Sequence, residues 1–304
     1  MITGGTGLVG SALVAELLQK GYDIILLTRQ RETEALSFAQ HPSVRYAHWD
    51  PRKGELDLNA LSQADHIVHL AGANVAERRW TATRKKEIAD SRVQSGRLLV
   101  DTLKKLSHRP LSLVSASAIG WYGADTKDPP TPFTENDRPD TSFLGETCRQ
   151  WEESTAAVVH QGIRRVILRI GIVLSRKGGA LPEFERPLRF GIAPVLGSGK
   201  QIISWIQLDD LVSMILFSIE QSLPEGIYNA AAPAPVSQQE LMIALARQRK
   251  KFYLPLRVPS FVLKLMMGEM SIEVLKSTTV SSAKIQEAGF QFRYPSLEDA
   301  LAVC

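Results

Sequence analysis

A glycine-rich turn at the start of the chain constrains the fold more than any other feature. Thr3 leads glycines spaced Gly-x-x-Gly-x-x-Gly, an amphipathic segment follows at 11–20, and an apolar run at 24–27 comes after Gly21. This order of turn, helix and strand is typical of dinucleotide binding, because glycines let the backbone approach a pyrophosphate and the helix N-terminus offers it free N–H groups. The residues of this turn that we expect to bind the dinucleotide are Gly4, Thr6, Gly7, Leu8, Val9 and Gly10.

The strand that should precede this turn is short in the sequence. Only Met1 and Ile2 come before Thr3, whereas a strand usually has about five residues. We expect either an unusually short first strand or residues before Met1 that this sequence lacks, and we favour the second.

Strand-like and helix-like segments then alternate along the first part of the chain. Strands are predicted at 24–27, 44–48, 65–70, 111–115 and 166–170, and helices at about 83–105 and 145–160. Such alternation predicts an α/β fold, a Rossmann-type doubly wound parallel sheet whose ligand lies at the carboxyl ends of the strands.

The pattern changes past the last of these strands. The chain becomes rich in Gly and Pro, and the clearest later segments predict helices at 237–249 and 262–270. We therefore expect a cofactor-binding domain at 1–174 and a smaller, mainly helical substrate lobe at 175–304. Residues 205–230 are expected to pack back on the first domain.

Composition and charge argue against other classes of protein. The 304 residues are 44% hydrophobic and 22% charged, and 36 basic against 32 acidic residues give a net charge of +4. The densest basic pieces, 84–86 and 247–251, fall in helical patterns without interleaved aromatic residues, so nucleic-acid binding is not expected. A basic balance still suits an anionic cofactor.

Cysteine and histidine usage gives no metal site. Cys148 and Cys304 are far apart without CxxC spacing, and the six histidines show no metal-ligand spacing. No apolar run is long enough to span a membrane, and nothing resembles a signal peptide. We therefore expect a cytoplasmic protein with reduced thiols, no membrane partner and a small-molecule substrate.

Further motifs resemble those of the extended short-chain dehydrogenase/reductase superfamily. After the glycine turn come Leu-Ala-Gly at 70–72, Ser-Ala-Ser-Ala-Ile-Gly-Trp-Tyr-Gly at 115–123 and Thr-Glu at 134–135. A closer resemblance is to the NAD-dependent epimerase family proteins of unknown substrate, sometimes labelled cell-division inhibitors. The segments that carry this closer resemblance are 79–80, 86–92, 151–152, 168–174, 178–179, 197–199, 205–210 and, in the C-terminal domain, 267–300.

This resemblance implies further contacts with the cofactor. It places Leu70, Ala71, Glu87 and Arg92 near the nucleotide. Cys148 is expected to be a small buried or cofactor-facing side chain, since nothing near it marks a reactive thiolate. A homodimer formed through two helices is a habit of the superfamily, and the sequence itself says nothing about oligomeric state.

The end of the second strand selects between the two nicotinamide cofactors. An acidic residue there binds the ribose 2′-OH of NAD, whereas an arginine accommodates the 2′-phosphate of NADP. Here the strand ends in Thr28 and Arg29, Arg31 follows, and the first carboxylate is Glu32. Arg29 can bind phosphate through a planar, charge-assisted contact and Thr28 can add a hydroxyl. We therefore predict NADP; a solvated surface arginine is the alternative.

The catalytic pair that the resemblance implies is missing. The superfamily uses a tyrosine to move a proton, a lysine four residues later to lower its pKa, and a serine as a further donor. No Tyr-x-x-x-Lys occurs in the 304 residues, and alignment on Glu152 puts Leu144 and Cys148 at the two places. Ser117 fits the serine and Tyr122 is the one nearby phenol, so these two are the candidate catalytic residues.

Three functions stay open at this point. The protein is an NADP-dependent reductase or epimerase with altered acid–base residues, or it binds NADP(H) without turnover as a sensor or regulator. The third is a scaffold on an inherited fold, because a fold alone does not fix function. The retained cofactor motifs argue against the third.

Other polar segments have two interpretations each. Asp209 or Asp210 is expected to cap the helix that begins there rather than to act as an acid. Arg169, inside an apolar strand, faces the cleft or forms a structural ion pair. The Gly-Ser-Gly-Lys segment at 197–200 cradles an anionic substrate or is a plain turn.

Overall fold

An eight-stranded sheet forms the centre of the protein. The computed structural model describes residues 1–30, 38–127, 129–220, 223–248 and 253–304. In order across the sheet, the strands are β12 (Gly226–Ala230), β7 (Arg164–Ile170), β6 (Ser112–Ala118), β5 (His66–His69), β1 (Ile2–Thr3), β2 (Ile24–Thr28), β3 (Val44–Asp50) and β4 (Glu55–Leu56). Neighbours pair in parallel except β3 and β4, which confirms the predicted Rossmann-type sheet.

The sheet extends in two directions from β1: β2, β3 and β4 lie on one side of it, and β5, β6, β7 and β12 lie on the other. This two-residue strand lies between β2 and β5, with Thr3 opposite Leu27 and His69. Crossovers to the two sides diverge from this point and leave a crevice outside the carboxyl ends of the strands, which is where such sheets bind ligands. The fold therefore directs attention to the residues that follow β1, β2, β5 and β6.

Helices cover both faces of the sheet. They are α1 (Leu8–Gln19), α2 (Leu58–Leu61), α3 (Ala82–Leu103), α4 (Phe143–Ser154), α5 (Leu181–Leu188), α6 (Leu208–Glu220), α7 (Gln238–Gln248), α8 (Ser260–Met267), α9 (Ser271–Leu275), α10 (Ala283–Glu287) and α11 (Leu297–Val303). Hydroxyl groups cap the N-termini of α3 and α4: Thr81 accepts from the N–H of Arg84, and Ser142 accepts from that of Gly145.

Alternate residues of the strands pack into separate apolar cores. Val68 and Val114 face α1 and α6, whereas Ile67 and Leu113 face α3. Because both faces are buried, the strands appear in the sequence as continuous apolar runs rather than as alternating ones.

The helix expected at 145–160 ends earlier, at Ser154. The hydroxyl of Ser154 donates to the carbonyl of Trp151 at 2.6 Å, and that of Thr155 donates to the carbonyl of Glu152 at 3.2 Å. Such side-chain bonds compete with the helical backbone bonds. A 3₁₀ segment, Ala156–Gln161, continues towards β7.

The C-terminal region combines short strands with helices. Three two-stranded pairs are β8 (Ile172–Leu174) with β11 (Trp205–Gln207), β9 (Ile192–Leu196) with β14 (Leu254–Val258), and β10 (Ile202–Ile203) with β13 (Val236–Ser237). A further apolar core gathers around Trp205, Leu241 and Leu301. α6 contacts α1, and β12 pairs with β7, while the predicted boundary at residue 174 stays a prediction.

Candidate cofactor site

The turn between β1 and α1 leaves no room for side chains at its glycines. Gly4 has a φ of 71°, and a Cβ on it would lie 2.9 Å from the carbonyl carbon of Leu70. A Cβ on Gly10 would collide with the carbonyl oxygen of Gly4, and one on Gly7 would lie 3.3 Å from that oxygen. The glycines therefore let three backbone segments meet closely, as a dinucleotide-binding turn requires.

The N-terminus of α1 carries no side-chain cap. Gly7 precedes the helix, and its first backbone bond runs from the N–H of Ser11 to the carbonyl of Gly7, at 2.8 Å. The first-turn N–H groups thus have no partner within the helix, and with the positive end of its dipole they suit a phosphate. Thr6 is exposed in this turn, and Leu8 and Val9 are partly buried.

The segment after β5 lies directly beside the glycine turn. The hydroxyl of Thr3 accepts hydrogen bonds from the N–H groups of Leu70 and Ala71, each at 3.1 Å. Leu70 and Ala71, predicted to lie near the nucleotide, are both partly buried there. The structure therefore brings these two residues together with Gly4.

Arg92 of α3 reaches the same edge of the sheet. Its Nη1 donates to the carbonyls of Ala73 and Ile88, both at 3.0 Å, and its guanidinium carbon lies 4.9 Å from the ring centre of Trp151. A Cβ on Gly72 would lie 3.1 Å from that carbon. Burial lowers the pKa of Arg92 to about 10, and in the described part of the chain it pairs with no carboxylate. Arg92 therefore offers a cation to an anionic ligand.

Leu144 and Cys148, which the alignment on Glu152 sets at the places of the missing tyrosine and lysine, lie against Gly120. A Cβ on Gly120 would lie 3.2 Å from the Cβ of Leu144 and 3.7 Å from the Sγ of Cys148. Burial raises the pKa of the Cys148 thiol to about 12, against the opposing charge of Arg92. Leucine has no titratable proton, so these side chains do not reproduce a tyrosine–lysine pair.

The two candidate catalytic hydroxyls have buried protein partners. Ser117 donates to Oε1 of Glu152 at 2.7 Å, and Tyr122 donates to Oδ1 of Asn229 at 2.7 Å. Tyr122 also accepts from Nη1 of Arg169 at 3.0 Å, is 0% exposed, and has a pKa raised by burial to about 12. A role for Ser117 or Tyr122 in proton transfer stays a prediction, and this geometry does not favour it.

Arg169 forms a structural ion pair rather than facing the cleft. Its Nε lies 2.8 Å from Oε1 of Glu152, its Nη2 lies 3.0 Å from Oε2, and both side chains are buried. Its guanidinium carbon lies 3.7 Å from the ring centre of Trp121. Bidentate bonding and the aromatic face together satisfy the cation.

The residues predicted to bind the 2′-phosphate of the ribose lie at the end of β2. Thr28 is partly buried and its hydroxyl accepts from the N–H of Gln30 at 3.1 Å, while Arg29 is exposed. Arg29 is thus accessible to a ligand, and the hydroxyl of Thr28 already accepts one hydrogen bond. Arg31 and Glu32, which follow Arg29 in the sequence, lie outside the described residues.

Arg84 belongs to this edge and was missed from the sequence. It is 4% exposed, with Nη1 2.7 Å from Oε2 of Glu87 and Nη2 2.8 Å from Oε2 of Glu77. The bond from Arg84, followed by the charges of Arg78 and Arg29, holds the pKa of the Glu87 carboxyl below its usual range. Glu87 therefore lies near Arg29, and the i,i+3 spacing of Arg84 and Glu87 was the available sequence signal.

The C-terminal region reaches the same edge through Gly268 and Glu269. A Cβ on Gly268 would lie 3.1 Å from Nη2 of Arg79, and Glu269 forms an ion pair with Lys85 of α3. The ammonium of Lys85 lies 5.3 Å from the ring centre of Phe143. Residues after α8 thus contact both the loop that follows β5 and the start of α3.

The expectation that Asp209 or Asp210 caps α6 is wrong. The side-chain oxygen of Gln207 accepts from the N–H groups of both aspartates, at 3.2 Å for Asp210. The carboxylate of Asp210 instead accepts from the N–H groups of Arg293 and Tyr294, at 2.8 and 3.0 Å. Asp210 was misassigned because its partners are more than eighty residues away in sequence.

The segment at 197–200 has the bonding of a plain turn. The N–H of Gly197 donates to the carbonyl of Val258 at 2.9 Å, and that of Gly199 donates to the carbonyl of Leu196 at 3.0 Å. The N–H of Lys200 donates to the hydroxyl of Ser198 at 3.2 Å. These internal bonds leave few donors for an anion.

A cavity of about 760 Å³ opens at the opposite edge of the sheet. Its lining includes Met1, Tyr22, Ser43, His66 and Leu111, which lie at the amino ends of the strands. Ligands of open parallel sheets bind at the carboxyl ends. The glycine turn, and not this cavity, therefore marks the candidate cofactor site.

In the described ranges, no group of His, Cys, Asp and Glu side chains is arranged to hold a metal ion. Of the helices described, none has the length and apolar character needed to cross a membrane.

The parallel sheet and the glycine turn define a Rossmann-type protein of the nicotinamide-binding class. The chain belongs to the NAD dependent epimerase/dehydratase family, whose model matches residues 1–231. Residues 258–303 match a domain of unknown function, DUF1731. These matches confirm the family resemblance that the sequence motifs carried, including that of the C-terminal domain.

Relatives and solved structures agree with this family. An epimerase family protein of Staphylococcus epidermidis is 37% identical over 302 residues, which cover 99% of this chain and 97% of the relative. The structure of the human epimerase family protein SDR39U1 (isoform 2) with NADPH has a TM-score of 0.81 at 25% identity, covering 99% of this chain and 96% of that one. A nucleoside-diphosphate sugar epimerase from Corynebacterium glutamicum has a TM-score of 0.77 at 31% identity, covering 99% of this chain and 56% of that one.

Proposed function

We propose that the protein binds NADP(H) and acts as a reductase-like or epimerase-like enzyme on a small-molecule substrate. The observation that carries the proposal is the close backbone contact of Gly4 and Gly10 beneath the uncapped start of α1. A Cβ at either glycine would meet backbone atoms, so the residues present fit a bound dinucleotide. The human relative solved with NADPH supports the choice of a phosphorylated cofactor.

Each part of the site has a role towards that cofactor. When bound, the cofactor supplies a hydride donor or acceptor. The N–H groups at the start of α1 hold the diphosphate, and Arg29 and Thr28 hold the 2′-phosphate. Leu70 and Ala71 contact the nucleotide from the other side of the turn, and Arg92 pairs with one of its anionic groups.

Titration of the purified protein with NADPH and NADH tests this proposal. We expect NADPH to bind more tightly, because only its 2′-phosphate can pair with Arg29. Tighter binding of NADH would contradict it. Turnover is tested by adding ketones or sugar nucleotides to bound NADPH and measuring its oxidation as a loss of absorbance.

Binding of NADP(H) without turnover is the second candidate function. Leu144 and Cys148 against Gly120, together with the buried hydroxyl of Tyr122, support it. In that case NADPH binds, no substrate oxidises it, and the cofactor changes the hydrogen-exchange protection of residues 258–303, whose Glu269 pairs with Lys85 of α3. Hydride transfer to any substrate would contradict this second candidate.

A further inference from the structure

We propose that His69 is a positioning residue. Its buried imidazole aligns three segments of the candidate cofactor site: Thr3 before the glycine turn, Leu70 and Ala71 after β5, and α3 at Arg92. The inference rests on the proposed binding of a nicotinamide cofactor. His69 ends β5, directly before Leu70 and Ala71, and its side chain is fully buried. Neither the glycine motif nor the family resemblance singled it out.

The imidazole is hydrogen-bonded at both nitrogens. Nδ1 lies 2.8 Å from the hydroxyl of Thr3, and Nε2 lies 3.2 Å from the hydroxyl of Ser95. All three side chains are 0% exposed. The ring of Trp49 packs edge-on against the imidazole, with ring centres 6.4 Å apart. The bonds therefore form in a site that excludes water, where their geometry is strongly constrained.

The neighbouring bonds fix the direction of each proton. Because the hydroxyl oxygen of Thr3 accepts from the N–H groups of Leu70 and Ala71, its own proton is directed to Nδ1 of His69. The hydroxyl of Ser95 donates to the carbonyl of Arg92 at 2.8 Å, so its oxygen accepts from Nε2–H. Only the neutral imidazole protonated at Nε2 satisfies every group.

The hydrogen-bonded chain of Thr3, His69 and Ser95, called the relay below, joins parts of the candidate site that come from different crossovers. Thr3 leads into the glycine turn, Leu70 and Ala71 follow β5, and Arg92 lies on α3. Gly4 touches the backbone of Leu70, so a change in the amides of 70–71 alters the turn itself. Loss of the imidazole would leave the proton of the Thr3 hydroxyl without its acceptor, and the Ser95 oxygen without its donor, in a buried site. We therefore expect the three segments to lose their common alignment.

Protonation of the ring is incompatible with the same relay. A second ring proton would place an N–H against the hydroxyl of Thr3, whose lone pairs are already used. Burial and then the nearby charge of Arg92 on α3 lower the pKa of His69 to about 4. Thr3, Ser95 and Trp49, the other side chains that contact the ring, are uncharged at neutral pH. The relay therefore stays intact across the physiological range.

The test compares NADPH affinity in His69→Phe, His69→Gln and Ser95→Ala, measured by the fluorescence of bound NADPH. We expect His69→Phe to weaken binding by about tenfold or more, with a smaller loss in Ser95→Ala, which keeps the bond between the ring and Thr3. His69→Gln retains one acceptor and one donor and is expected to recover part of the affinity. Adding His69→Phe to Thr3→Val should change the affinity little further, because loss of the Thr3 hydroxyl already breaks the relay.

His66→Phe is the matched control. His66 begins the same strand, bonds to the hydroxyl of Ser112 at 2.8 Å, and lies at the edge remote from the glycine turn. We expect it to change stability but to leave the affinity for NADPH within about twofold, since it touches none of the relay groups.

Two results would overturn the inference. One is a folded His69→Phe or Ser95→Ala protein that binds NADPH as tightly as the wild type. The other is an imidazole ¹⁵N spectrum showing the proton of His69 on Nδ1, a readout that needs no cofactor. If the wild type itself binds neither NADPH nor NADH, the proposed function fails first and this inference fails with it.

Discussion

Glu152 binds Arg169 through both carboxylate oxygens, at 2.8 and 3.0 Å, in the interior between α4 and β7. The same carboxylate accepts the hydroxyl of Ser117 at 2.7 Å. Ser117, which the family resemblance sets at the catalytic serine position, is thus part of an internal electrostatic network. This network joins α4, β6 and β7, and its disruption should affect folding more than cofactor binding.

Glu152→Gln should destabilise the protein by about 3–5 kcal/mol, because it leaves the guanidinium of Arg169 buried without a counter-charge. Unfolding in urea measures the effect. Lys86→Ala removes an exposed i,i+4 pair with Asp90 and should change stability little. Unchanged stability of Glu152→Gln would contradict the role assigned to the buried pair.

Arg29→Ala should weaken NADPH binding by about tenfold to a hundredfold and leave NADH binding nearly unchanged, because only NADPH has a 2′-phosphate. Fluorescence titration with both cofactors measures the ratio. Arg45→Ala is the control, since Arg45 is exposed at the start of β3 and bonds to Gln63. Equal losses for the two cofactors would argue against a 2′-phosphate contact.

Gly10→Ala should abolish tight cofactor binding and destabilise the protein by about 1–3 kcal/mol, because its Cβ would meet the carbonyl of Gly4. Thermal unfolding and NADPH titration report the two effects. Gly178→Ala provides the comparison for stability, as its Cβ would lie 3.5 Å from the side chain of Leu8, an ordinary contact. A fully stable Gly10→Ala protein that binds NADPH would show that the turn tolerates a side chain.

Acid should destabilise the protein through His69. Its pKa is lowered from 6.5 to about 4 in the folded state, so the unfolded chain takes up this proton first as pH falls. The contribution of His69 to the free energy of unfolding is therefore complete above pH 6.5. It decreases between pH 6.5 and about 4, by about 3 kcal/mol in total. Urea unfolding across this range should show a shallower pH dependence in His69→Gln. An identical slope in the variant would exclude His69 as the source.

Cys148 should resist alkylation in the folded protein. Its thiol is buried, and its pKa is raised by burial to about 12, so little thiolate is present and reagents have no access. Mass spectrometry after treatment with iodoacetamide, with and without urea, measures the labelling. Rapid modification of Cys148 without urea would show that this part of the site opens to solvent.

The sequence alone predicted the alternation of strands and helices along the chain and the glycine turn. Both depend on local patterns: apolar runs bounded by turns, and glycines where backbones meet. Only the family resemblance pointed to Leu70 and Arg92, because the contact between α3 and β5 is not encoded in spacing, and their contact with the cofactor stays a prediction.

Partners distant in sequence were beyond such reasoning. Tyr122 bonds to Asn229, and Asp210 bonds to the backbone of Arg293 and Tyr294. A polar residue in a motif appears available for chemistry until its partner, brought in by tertiary folding, is known. The apparent availability of Ser117 and Tyr122 was of this kind.

The pairing of β12 with β7 determines when this protein can complete its core during synthesis. The edge of β7 has no partner in the sheet until residues 226–230 have left the ribosome, long after β1 to β7 have emerged. An uncovered strand edge invites pairing with another chain, so we expect aggregation to compete with folding until β12 pairs with β7. The cofactor-binding unit is therefore not the product of the first half of the gene alone.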